Sequence, residues 1–142
     1  MQMKKTLSVI FAALILCSSF MSVTSGQFQV TPTACDLWVQ NNTDQNLASV
    51  NFVSNIDNVT LSNTAPFGGT NAGALQFDNA DPVTIRVTFS APPNGNTIAR
   101  IYNNGSSNLV GTININAGAI GGATRIYPPI ASDAFFVIVD PN

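Results

Sequence analysis

Between Val83 and Asn116 the chain alternates with a period of two, and that periodicity confines it to extended structure. Val83-Thr-Ile-Arg-Val-Thr-Phe89 places an apolar residue at every second position, and Thr97-Ile-Ala-Arg-Ile-Tyr102 and Leu109-Val-Gly-Thr-Ile-Asn-Ile115 are two further runs rich in β-branched residues. Successive side chains of a strand point to opposite faces, so such a pattern buries one face and leaves the other open. The connections, Ala91-Pro-Pro-Asn-Gly-Asn96 and Asn103-Asn-Gly-Ser-Ser107, are rich in residues that supply fixed or positive φ angles for chain reversal. The three runs read as a β-meander.

The flanking sequence has the same character. Gln27 to Thr33 alternates around Phe28 and Val30 and meets Pro32, which predicts a short edge strand. Asp36-Leu-Trp-Val-Gln40 is a second strand, followed by the polar turn Asn41 to Asn46. Ala48, Val50 and Phe52 share one face of a third, and Val59 and Leu61 one face of a fourth that runs from Ile56. Ser62 to Gly73 shows no sustained period and reads as a long loop. Ala74 to Phe77 and Thr124 to Tyr127 are brief strands. Ala134-Phe-Phe-Val-Ile-Val139, apolar at every position, predicts a strand covered on both sides. No helical period is sustained after the first 25 residues. The sum is an all-β chain of about 8–10 short strands, a single antiparallel β-sandwich of immunoglobulin-like or transthyretin-like arrangement.

The first 25 residues are of another kind. Lys4 and Lys5 precede the uncharged apolar run Leu7 to Leu16, and small polar residues follow through Ser25. This order predicts a cleaved export signal of bacterial type over residues 1–25, leaving residues 26–142 as one domain. The ten-residue run is about half of the roughly 20 needed to cross a bilayer. Cys17, at the end of that run, raises lipid anchoring as the alternative, although a lipoprotein signal wants a small residue where Leu16 stands. The product is expected to be secreted, surface-associated or periplasmic.

Charge then excludes several partners. Without Lys4 and Lys5, the cations are Arg86, Arg100 and Arg125 against seven Asp, a net charge of −4, and neither Glu nor His occurs anywhere. Such a chain cannot neutralise many phosphates, so nucleic acid and anionic membrane are not expected partners. General acid–base chemistry would fall on Asp, and the Asp78/Asp81 pair is the nearest approach to a dyad. A secreted Asp-dependent hydrolase therefore ranks third among the functional readings, and the chain reads as no enzyme. Cys35, the one cysteine after the signal, reads as a small buried apolar residue, with an intermolecular disulfide as the alternative.

Two candidate sites remain. Asp78, Asn79 and Asp81 offer oxygen ligands at close spacing, a candidate calcium site without the EF-hand pattern; no other cofactor is implied. Trp38, Tyr102 and Tyr127, with Phe67 and Asn71 of the long loop, offer flat rings and an amide for stacking on sugars. Leu37 and Val39 flank Trp38, so an inward Leu37 would turn the indole outward; the favoured reading nonetheless places Trp38 in a doubly covered core. Arg86 and Arg100, both within strands, are expected to face one another across a sheet or to pair with Asp. Asn41-Asn-Thr43, Asn58-Val-Thr60 and Asn104-Gly-Ser106 match the glycosylation triplet, a pattern that so Asn-rich a chain yields by chance. Sheet edges are normally blunted by charge, and few charged residues are available for it here. The first functional expectation is a non-catalytic structural or binding module, for adhesion or assembly through sheet edges. The alternative is a carbohydrate-binding module recognising surface polysaccharide.

Overall fold

The computed structural model describes residues 33–78, 81–103, 108–127 and 134–142, all within one compact unit, Thr31–Asn142. Nine strands are seen among them: β1 (Thr33–Asn41), β2 (Leu47–Val53), β3 (Asn58–Thr64), β4 (Gly69–Phe77), β5 (Val83–Phe89), β6 (Thr97–Asn103), β7 (Leu109–Ile115), β8 (Gly121–Ile126) and β9 (Ala134–Pro141). They form a five-stranded sheet, β4-β1-β9-β6-β7, and a four-stranded sheet, β3-β2-β5-β8. The two open sheets make a β-sandwich. Pairing is antiparallel except between β1 and β9, which run parallel.

Alternation builds the core. Cys35, Leu37 and Val39 of β1, Phe135, Val137 and Val139 of β9, and Ala99 and Ile101 of β6 point inward from the larger sheet. They meet Val50 and Phe52 of β2 and Val83, Ile85, Val87 and Phe89 of β5, all of them buried. Each large apolar side chain so buried contributes roughly 1.5–3 kcal/mol. Phe77 and Phe135 pack with ring centroids 5.9 Å apart at 42°. Cys35 is a buried thiol of this core.

At the β1–β2 turn, buried polar groups are tied to backbone. Asn41 is fully buried: its Nδ2 donates to the carbonyls of Gln45 (2.8 Å) and Thr64 (3.2 Å). Its Oδ1 accepts from the Thr43 N–H (3.1 Å) and hydroxyl (2.7 Å). This residue shapes the β1–β2 turn and fastens it to the end of β3. The triplet Asn41 to Thr43 is therefore a buried structural knot, not an attachment point for a glycan.

Several expectations change. The three runs from Val83 are strands but not a meander: β5 lies between β2 and β8, whereas β6 and β7 pair in the other sheet. Residues 90–96 thus cross between sheets. Asn103 N–H donates to the Asn108 carbonyl (2.9 Å) to close the β6–β7 hairpin, whose residues 104–107 lie outside the described residues.

Ser62 to Gly73 is not a loop. β3 continues to Thr64 and β4 begins at Gly69, with only residues 65–68 between them. The corner uses left-handed backbone at Phe67 (φ 57°) and Gly68 (φ 93°), and a Cβ at Gly69 would lie 2.2 Å from the Ala65 carbonyl oxygen. In β2 an irregularity between Leu47 and Ser49 places Leu47, rather than Ala48, beside Val50 in the core. β3 starts at Asn58, leaving Ile56 half exposed in the preceding turn.

Arg86 and Arg100 lie in different sheets and cannot face one another. β9 is central, between β1 and β6, which covers its outward Phe136 and Ile138 in part. Residues 1–25, Cys17 and the edge strand expected before Thr33 lie outside the described residues.

Candidate functional site

The outer face of the five-stranded sheet carries an aromatic row created by register. Trp38 of β1 is the register partner of Ala72 of β4 on one side and of Phe136 of β9 on the other. Phe136 is in turn the partner of Tyr102 of β6, and Tyr102 that of Leu109 of β7. Trp38, Phe136 and Tyr102 belong to the face away from the core, because Leu37, Val39, Phe135, Val137 and Ile101 take the inward positions, and their exposed partners Ala72 and Leu109 extend the line, Leu109 by way of the register shift in β7. Ala72, Trp38, Phe136, Tyr102 and Leu109 thus cross the whole sheet in one line. Adjacent strands lie about 4.8 Å apart, so Trp38 and Tyr102, two strands apart, are about 10 Å apart at the backbone.

Trp38 is 42% exposed and Leu109 51%. The expectation of a core Trp38 is corrected: the core side of β1 is filled by Cys35, Leu37 and Val39, and nothing among the described residues covers its other side. A cavity of about 350 Å³ opens beside the indole, lined by Asp36, Ala72, Gly73, Ala134 and Phe136.

A polar string runs along the next row. Gln40 Nε2 donates to Asn42 Oδ1 (2.9 Å), Asn42 Nδ2 donates to Asp140 Oδ1 (2.7 Å), and Arg100 Nη1 donates to Asp140 Oδ2 (2.8 Å). Asp140 thereby holds Asn42 and Arg100 together, and Gln40 and Arg100 flank Ile138 in register. The Arg100–Asp140 ion pair is partly exposed, so its worth lies in position more than in stability. Arg100 commits one of its five N–H donors to this contact, and Gln40 retains its carbonyl oxygen as an acceptor. Flat apolar rings beside oriented amide and guanidinium groups suit a ligand with an apolar face and a polar rim.

Of the residues singled out in the sequence, Trp38 and Tyr102 come together here. Tyr127 does not: it follows β8 of the other sheet and is 72% exposed. Phe67 is exposed in the β3–β4 corner, where its N–H donates to the Thr43 carbonyl (3.0 Å). Asn71 reaches sideways, its Nδ2 donating to the Ser62 carbonyl (3.0 Å). Phe136 and Leu109 complete the row and went unrecognised in the sequence. The signal for Phe136 was available, since adjacent Phe135 and Phe136 on a strand must point to opposite faces.

At the proposed calcium site, Asp81 N–H donates to the Asp78 carbonyl (3.0 Å) and Asp81 Oδ2 accepts from Asn55 Nδ2 (2.6 Å); Asn79 lies outside the described residues. Among the described residues no three His, Cys, Asp or Glu side chains gather as a metal-binding group.

These features define an all-β sandwich with an aromatic outer face. No protein-family model matches the chain, and neither a curated protein nor a solved structure matches it.

Proposed function

We propose that this protein is a non-catalytic binding module, exported after removal of residues 1–25, that recognises a polysaccharide on the outer face of its five-stranded sheet. The observation that carries the reading is the shared register of Trp38, Phe136 and Tyr102. Sugar rings present C–H groups on their faces and hydroxyls around their rims. A row of rings across the sheet supports the faces, and the Gln40–Asn42–Asp140–Arg100 string lies where rim hydroxyls would fall. Aromatic side chains with fixed rotamers give contact area at small entropic cost, the usual economy of such surfaces. The setting is the bacterial surface or its surroundings, and binding serves adhesion.

Trp38 is the one tryptophan of the chain, so its fluorescence reports directly on the platform. Titration with soluble β-glucan, xylan, mannan and chitin oligosaccharides is expected to shift or quench that emission for at least one class, and Tyr102→Ala to weaken the response. No response across the panel, together with no retention of the protein on insoluble polysaccharide, refutes the proposal.

A further inference from the structure

The four edge strands of the sandwich differ in how their open backbone is managed. On the β3/β4 side, side chains close it. Gln76 of β4 donates its N–H to Asp57 Oδ2 (2.9 Å) and accepts at its carbonyl from the Ser54 hydroxyl (2.6 Å). Ala72 N–H donates to Asn71 Oδ1 (2.9 Å), while Asn71 Nδ2 donates across to the Ser62 carbonyl of β3 (3.0 Å). Three side chains, Ser54, Asp57 and Asn71, thus occupy backbone groups that a neighbouring strand would need.

On the β7/β8 side, among the described residues, no side chain bonds to the backbone of either strand. These two edges are not equivalent. β8 carries Arg125, and Arg86 is the register partner of its Ala123, so two copies of β8 side by side would gather four guanidinium groups on one face. β7, Leu109-Val-Gly-Thr-Ile-Asn-Ile115, contains neither a charged residue nor a proline. An edge with open backbone and no charge is a template for another strand.

We infer that β7 is a self-association edge, on which the β7 strand of a second copy of this chain pairs antiparallel to join the two five-stranded sheets. The strand itself indicates the occupant. About a two-fold axis each residue meets residues of the same strand, so the interface needs only self-complementarity. With the axis at Ile113, the centre of the segment, Thr112 and Asn114, both exposed, lie opposite one another across the two copies, a hydroxyl–amide pairing that hydrogen-bonds across strands without like-charge repulsion. The irregularity where Tyr102 pairs with Leu109 bounds the usable edge, leaving Gly111 to Ile115 for the partner. This pairing uses backbone at the sheet edge and stands independently of the aromatic row.

The test is sedimentation of the mature chain over a wide concentration range, for wild type, Thr112→Lys, Asn114→Lys and Thr70→Lys. Thr70, exposed on β4, places the same charge on the opposite edge. Wild type is expected to pass from monomer to dimer mass, with each β7 lysine raising the midpoint about tenfold or more and Thr70→Lys leaving it in place. Circular dichroism checks that all four are folded, as substitutions at exposed positions should be. A wild type that stays monomeric up to about 1 mM overturns the inference. So does a dimer that the β7 lysines leave unchanged, or one that Thr70→Lys disrupts equally.

Discussion

Trp38 and Phe136 are register partners in the β1–β9 pair, the one parallel pairing among the described strands. The relationship joins residues 98 positions apart into one surface, and it places a half-covered Phe between Trp38 and Tyr102. Both rings stand on strands whose inward residues are buried in the core.

Removing the indole should therefore cost function more than stability. Trp38→Ala deletes a side chain that is 42% exposed, and thermal unfolding is expected to change by no more than about 1–2 kcal/mol. Retention on a polysaccharide that binds the wild type should be lost. Unfolding scans and pull-down on the same preparations separate the two effects.

Asp140→Asn keeps the shape of the side chain but removes the charge that holds Arg100. Both partners are partly exposed, so the stability change should stay within about 1 kcal/mol. Arg100 loses its anchor, and ligand affinity is expected to fall with little change in the unfolding midpoint. Calorimetric titration beside chemical denaturation reads both quantities.

Asn41→Ala should be among the most damaging single changes. It removes the partner of two backbone carbonyls, one N–H and one hydroxyl, all around a fully buried position. A loss of about 3 kcal/mol or more is expected from groups left buried without partners. Urea denaturation measures it.

Thr64→Val should act in the opposite direction. Among the described residues the buried Thr64 hydroxyl has no hydrogen-bond partner, and Val has nearly its shape and the same branching. Stability is expected to rise by about 1 kcal/mol, or at the least not to fall. The shift in urea midpoint at constant slope decides it.

The β3–β4 corner can be probed at Gly69. A Cβ there would lie 2.2 Å from the carbonyl oxygen of Ala65, and also within 3 Å of two more Ala65 atoms, so the backbone has to move. Gly69→Ala is expected to cost roughly 1–3 kcal/mol, the range of overpacked sites. Gly95→Ala, with open space around its Cβ, serves as the comparison in the same unfolding assay.

Period-two alternation by itself determined that the described domain is all β, where most strands lie, and for many of their residues which face inward. Val83, Ile85, Val87 and Phe89 are buried as their spacing requires, and so are Leu37 and Val39. Alternation acts within one strand, however, and carries no information about which strand lies alongside. For that reason β5 parted from β6 and β7, and Ser62 to Gly73, with few large apolar residues to mark a period, concealed an edge strand and a tight corner. The same physics governs the surface. Trp38 and Tyr102 were visible as aromatic residues on strands, but only long-range hydrogen-bonded register set Phe136 between them and Leu109 beyond. Arg100 likewise found its Asp only when β9 came to lie against β6. A strand's faces are local properties of its sequence; its neighbours are chosen by the packing of the whole sandwich.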